Sequence, residues 1–274
     1  MSATSKAFND PDLDIEFDEK TINPAEEFMK DGIVFCKTCK EPRTIYSDFF
    51  KKYFRQPCRC QREAFKAAEL KKAAGLGEKN WDVTFENTEI YSVEFEVVYK
   101  RLKKYCQVAD IALDRGIGVY LYGDRGVGKS RLTACMVDAL TKQFYSVLFT
   151  NFDNIALALK ASFDKKTASS MSEKEIMDKL AGVDFLFIDD FGTEKVTKNG
   201  EDMWLQTKVY DIVNARYDNK KPIIFTSNYS LQELAVKRGI DAKTVDRIVE
   251  TTATIKLEGQ SYRRKIHDQQ ELPF

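Results

Sequence analysis

Long apolar runs are missing from this chain. None of its 274 residues lies in a stretch near the roughly 18 apolar positions of a membrane-crossing helix, so no membrane partner is expected. Residues 1–20 contain no apolar core of the kind a secretory signal carries. A cytoplasmic protein with reduced thiols is therefore expected, and its cysteines read better as ligands than as disulfides. Net charge is also missing: 43 Lys and Arg balance 43 Asp and Glu, so the whole-chain charge says nothing about a nucleic-acid partner. Histidine is scarce. His267 alone represents it, too remote in sequence to be claimed as a ligand.

What is present is unevenly distributed. Residues 1–27 hold eight acids against two lysines and few apolar positions, so a flexible acidic tail is expected. Leu13, Ile15 and Phe17 alternate with acids there and could order against a partner. Residues 28–75 reverse the sign, with twelve Lys and Arg against five acids. This stretch contains Cys36-Lys37-Thr38-Cys39 and Cys58-Arg59-Cys60, two pairs separated by an eighteen-residue loop. Zn²⁺ takes four soft donors at tetrahedral angles, and each close pair delivers two thiolates at little entropic cost. A segment this small has no core of its own, so the metal would supply its folding energy. A redox pair at Cys36 and Cys39, or ordinary buried thiols, are the alternatives. Cys106 and Cys135 fall in helical patterns and read as core. Gly75-Leu76-Gly77 breaks a charged helix and reads as a linker. The expected domains are thus a tail (1–27), a zinc-binding module (28–76) and a larger domain (77–274).

The larger domain is organised around Gly123-Asp124-Arg125-Gly126-Val127-Gly128-Lys129-Ser130, which fits the phosphate-loop pattern G-x-x-x-x-G-K-[ST] at every fixed position. Glycines let the backbone turn its N–H groups onto phosphates. Lys129 places a charge on the β- and γ-phosphates, and the Ser130 hydroxyl can ligate Mg²⁺. Residues 119–122 read as the strand before the loop. Residues 129–141 read as the helix after it, with its positive N-terminus, including Arg131, at the same anion. Residues 91–113 form one helical pattern upstream, and 81–88 an extended lead-in.

A near-continuous apolar strand at 183–188 ends in Asp189-Asp190, the Walker B pattern. Asp189 would hold Mg²⁺, directly or through water, and Asp190 would orient or deprotonate the attacking water. A further apolar strand at 222–226 ends at Ser227-Asn228, where a polar tip can reach the γ-phosphate. Lys160, Lys165 and Lys166 flank Phe163, a grouping suited to tracking a single strand and stacking on its bases; a solvated helix face with Phe163 buried is the plain alternative.

Gly123–Ser130, Asp189-Asp190 with the following Phe191-Gly192-Thr193-Glu194, Thr226-Ser227-Asn228, Asp246-Arg247-Ile248 and Ser261-Tyr262-Arg263 together resemble an AAA+ ATPase. More narrowly, they resemble the bacterial and phage replicative-helicase loaders of the DnaC/DnaI family. The resemblance covers residues 80–265 well and the first 75 loosely. It implies an α/β fold with a parallel sheet flanked by helices, preceded by the small cysteine module. It implies ATP and Mg²⁺ as ligands, with Zn²⁺ added by the cysteine spacing. It implies Asn228 as sensor I, Arg247 as an arginine finger reaching a neighbouring subunit, and Arg263 as sensor II. Many AAA+ proteins have Asp-Glu where this chain has Asp189-Asp190, so Glu194 stands beside Asp190 as a candidate base. The implied function is ATP-dependent loading of a replicative DNA helicase onto single-stranded DNA, with self-association through the ATPase domain. A transposition helper ATPase of the IstB type is the alternative. A small-molecule P-loop kinase comes third, with no acceptor pocket or lid suggested by the sequence.

Overall fold

The computed structural model describes residues 22–47, 51–162, 171–193, 200–238 and 240–262, with the side chains of 200–203 and 205 excepted. The chain forms two compact units, residues 1–67 and 68–274. The acidic tail to residue 21, Phe163, Lys165, Lys166, Glu194, Arg263 and His267 fall outside the described residues.

In the first unit, β1 (Glu27–Lys30) and β2 (Ile33–Cys36) form an antiparallel hairpin. Its two-residue turn is Asp31-Gly32, both at positive φ, the conformation that matches the twist of the flanking strands. A second antiparallel pair follows, β3 (Thr44–Ser47) with β4 (Lys52–Arg55). Helix α1 (Arg59–Ala73) begins between Cys58 and Cys60. The sequence pattern did not announce these four short strands.

The change of unit falls inside α1. Ala74 and Leu76, just beyond it, are buried in the core of the second unit, and the Ala74 carbonyl accepts the Phe149 N–H at 2.6 Å. The expected linker at Gly75–Gly77 is therefore packed within the second unit. Lys71, near the end of α1, pairs with Asp138 at 2.6 Å.

After α1 comes a 3-10 turn at Glu78–Asn80, and residues 81–88, where an extended lead-in was expected, run as turns and irregular chain. The long helical pattern after it divides at Val108 into α2 (Val93–Gln107) and α3 (Ala109–Arg115). Ser92 caps α2 by accepting the Phe95 N–H, and Gly116 at φ +67 ends α3. Next come β5 (Gly118–Tyr122), α4 (Lys129–Lys142), β6 (Val147–Asn151), α5 (Phe152–Ser162), α6 (Glu173–Gly182), β7 (Phe185–Phe191), α7 (Gly200–Asp218), β8 (Ile223–Ser227), α8 (Leu231–Arg238), α9 (Ala242–Thr251) and β9 (Thr252–Lys256). The five strands form one parallel sheet in the order β6-β7-β8-β5-β9. This is the expected α/β class; β9 is the strand the sequence did not suggest.

Alternation along the strands sends side chains to two cores. Val119 and Leu121 of β5 and Phe185 and Phe187 of β7 join α2 and α4 on one face. Tyr120, Leu186, Ile188 and Phe225 join α5 to α9 on the other. Burial on both faces explains why β7 and β8 read as unbroken apolar runs. Arg216 of α7 lies wholly buried among them. Its guanidinium donates to the carbonyls of Leu180, Ala181, Val183, Asp184 and Pro222 at 2.7–3.3 Å, closing the end of α6 and the starts of β7 and β8.

Candidate functional site

The phosphate loop joins β5 to α4, at the carboxyl ends of a parallel sheet where open α/β folds bind ligands. Its glycines are required by close neighbours. A Cβ on Gly126, at φ +86, would meet Ser261 Oγ at 2.2 Å; one on Gly128, at φ +93, would meet Phe95 of α2 at 2.8 Å. The loop is thus clamped between the lead-in to α2 and the segment after β9. Tyr91 donates its hydroxyl to the Val127 carbonyl and stacks on Tyr262 at 5.0 Å between ring centres. The Tyr262 N–H donates to the Gly126 carbonyl, and its hydroxyl to Glu89. No periodicity marked Tyr91 as a neighbour of the loop; its helical spacing placed it with α2.

Lys129 is buried at the N-terminus of α4. Its ammonium donates to the carbonyls of Gly123 and Asp124, both at 2.8 Å, and to Asn228 Oδ1 at 2.9 Å. Ser130 Oγ lies 3.1–3.2 Å from the two carboxylate oxygens of Asp189. Two Mg²⁺ ligands at about 2.1 Å and a right angle would stand about 3 Å apart, so this pair fits one octahedral edge. Burial pushes the Asp189 carboxyl above its ordinary value, while hydrogen bonds from Thr226 and Ser130 act the other way. Asp190 is exposed, with φ +53.

The fold therefore brings together the loop, Asp189 and Asn228, with Asp190 exposed next to Asp189 in the chain. Asp124 and Arg125 are exposed, and the Arg131 guanidinium reaches Thr88 Oγ1 and the Asn87 carbonyl, both at 3.3 Å. Arg247 is placed on α9, its guanidinium over the rings of Tyr210 (4.8 Å) and Tyr217 (5.4 Å) of α7.

The first unit carries a separate constellation. The thiol sulfurs of Cys36, Cys39, Cys58 and Cys60 all lie within 4.8 Å of one another, with Cys58 to Cys60 at 3.2 Å and Cys36 to Cys60 at 3.5 Å. Tetrahedral zinc–thiolate bonds of about 2.3 Å put their sulfurs about 3.8 Å apart, so the donor set fits Zn²⁺. Amide donors from Cys39 and Thr38 draw the Cys36 thiol down to about 6, whereas Cys58 and Cys36 push Cys60 up to about 12. A divalent cation relieves this crowding by letting all four thiols ionise. Arg43, buried beside them, donates to Cys36 Sγ at 3.5 Å and to Glu27 at 2.9 Å.

Comparison with known proteins relates the chain to a family and to several relatives. The family model described as IstB-like ATP binding protein matches residues 51–270. The Bacillus subtilis (strain 168) protein named replicative helicase loader DnaI is 25% identical, over 93% of this chain and 86% of its own length. The Escherichia coli (strain K12) replicative helicase loader DnaC is 26% identical, over 75% of this chain and 79% of its own. In fold, a crystal structure of the DnaC helicase loader superposes with a TM-score of 0.55 at 20% identity, covering 66% of this chain and 100% of that one.

Proposed function

This chain belongs to the IstB-like ATP-binding protein family, and from that premise we propose that it loads a replicative DNA helicase onto single-stranded DNA at the start of replication, in the cytoplasm, with ATP hydrolysis. The observation that carries the reading is the meeting of Lys129, Ser130, Asp189 and Asn228 at the ends of β5, β7 and β8. Lys129 donates to two carbonyls and to an amide oxygen, which are neutral acceptors. A phosphate oxygen is the stronger partner, so Lys129 turns to the β- and γ-phosphates when ATP binds. Asn228 is then released to orient the γ-phosphate or its attacking water. Ser130 and Asp189 hold Mg²⁺, which when bound neutralises charge on the phosphate oxygens. Asp190 takes a proton from the water, with Glu194 as the other candidate. Arg247 serves a neighbouring subunit's nucleotide and Arg263 its own.

The first unit grips the helicase, with its four cysteines on Zn²⁺. The second contacts single-stranded DNA and self-associates. The extent of the relationship to DnaI supports this division, because an alignment over 93% of the chain necessarily runs into the cysteine unit. The family model begins at residue 51, after Cys36 and Cys39, and its IstB-like description keeps a transposition helper as the second reading.

The test is co-purification of the full chain with the helicase and with any transposase of the same genome, alongside phosphate release with Mg²⁺ and single-stranded DNA. Helicase capture with DNA-stimulated phosphate release is the expected result. Capture of a transposase and no helicase establishes the second reading. Absence of phosphate release removes the ATPase role.

A further inference from the structure

We infer that Thr226 is a positioning residue for the pair Asp189 and Asp190, its hydroxyl closing the bulge that aims both carboxylates. The inference rests on the reading of the site as a Mg²⁺-dependent ATPase and adds to it a residue on the neighbouring strand.

The starting point is a break in register. β7 pairs with β8 regularly from Leu186↔Ile223 to Ile188↔Phe225, and pairing resumes at Phe191↔Ser227. Asp189 and Asp190 therefore stand together opposite the single residue Thr226. In an unbroken strand two successive side chains point to opposite faces of the sheet, so one of these carboxylates would be turned away from the other. An extra residue on one strand bends it and re-aims the side chains beside it. Here the extra residue is Asp190, at φ +53. That conformation is strained for a non-glycine residue and persists where its surroundings enforce it.

Thr226 supplies the enforcement. Its Oγ1 accepts the Asp190 N–H at 2.9 Å and donates to Asp189 Oδ1 at 2.5 Å. The side chain is 1% exposed, and its branched Cβ restricts rotation, so the hydroxyl is a fixed point. A hydroxyl can accept from an amide and donate to a carboxylate at once; the valine of the same shape can do neither. Neighbouring hydroxyls finish the turn without touching both acids. Ser227 Oγ donates to the Phe191 carbonyl at 2.7 Å, and Thr193 Oγ1 donates to the Asp190 carbonyl at 2.7 Å. Thr226 thus fixes the Asp189 rotamer that faces Ser130, and the backbone angle from which Asp190 departs.

The test compares Thr226→Ser with Thr226→Ala, which differ by the hydroxyl alone, with Thr226→Val as the isosteric check. Three quantities are read on the full chain: hydrogen exchange of the Asp190 amide, kcat for ATP, and the Mg²⁺ concentration giving half-maximal rate. Thr226→Ser should keep the Asp190 amide protected and stay within about threefold of wild type in kcat. Thr226→Ala should expose that amide, lower kcat by about ten- to a hundredfold and raise the Mg²⁺ requirement. Nucleotide binding in EDTA should change less than about twofold, since Lys129 is untouched. A purely structural role would lower the melting temperature without separating Ser from Ala in Mg²⁺ requirement. Folded Thr226→Ala with wild-type kcat and Mg²⁺ dependence overturns the inference and leaves the ATPase reading standing. A wild-type protein without Mg²⁺-dependent turnover overturns that reading, and the inference with it.

Discussion

Lys129 Nζ stands 2.9 Å from Asn228 Oδ1, across 99 residues of chain. One group comes from the helix after β5 and the other from the tip of β8, so adjacency of these two strands creates the contact. Lys129→Ala should weaken ATP binding by about 3 kcal/mol, on the order of a hundredfold, because it removes the charge that meets the phosphates. Asn228→Ala should bind ATP nearly as well and hydrolyse it slowly. Equilibrium binding of a fluorescent nucleotide, read beside phosphate release, checks both. Unchanged affinity in Lys129→Ala would remove the central assignment.

Asp190→Asn should retain ATP binding and lose about a hundredfold or more in turnover, the contribution expected of a positioned general base. Wild-type turnover in this variant would transfer the role to Glu194, and Glu194→Gln is then the variant to measure.

Cys36→Ser should lose bound metal and loosen the first unit while the second stays folded. The reason is that the two units draw on different sources of stability. The first has short hairpins around a thiol cluster, and the second a sheet buried on both faces. Elemental analysis should find about one zinc per wild-type chain and none in the variant. Chelation of the wild type should reproduce the effect on the first unit alone. Metal-free wild-type protein would refute the zinc site.

Arg247→Ala should bind ATP normally and hydrolyse it about a thousandfold more slowly if the arginine serves a neighbour's nucleotide. Mixing it with Lys129→Ala protein should restore some hydrolysis, since intact Arg247 then faces an intact loop at some interfaces. Arg263→Ala should not be rescued. The rival role is visible in the fold: the guanidinium lies over Tyr210 and Tyr217 and anchors α9 to α7. Anchoring predicts a loss of about 1 kcal/mol in stability with turnover intact, so the melting temperature and the mixing experiment separate the two.

Arg216→Lys should destabilise the second unit by about 3 kcal/mol, measured by denaturant unfolding. Five carbonyls depend on the fork of the guanidinium, and an ammonium on a shorter reach cannot serve them all. A change under about 1 kcal/mol would mean that those carbonyls find other donors.

Local chemistry by itself determined much of this protein. The phosphate loop is contiguous, so Gly123 to Ser130 announced both the strand before it and the helix after it. β7 and β8 were legible because burial on both faces leaves an unbroken apolar run. The cysteine pairs were legible because metal spacing is a local property. The tertiary structure decided what local pattern cannot carry. β9 and the four strands of the first unit are short and lack a strong alternation. The division of one helical pattern at Val108 and the packing of Ala74 against Phe149 depend on distant partners. The bulge at Asp189 and Asp190 was invisible for the same reason: a strand's register is a property of two strands, and Thr226 lies 37 residues from Asp189. The sequence supplied the acids, and the neighbouring strand decided where they are held.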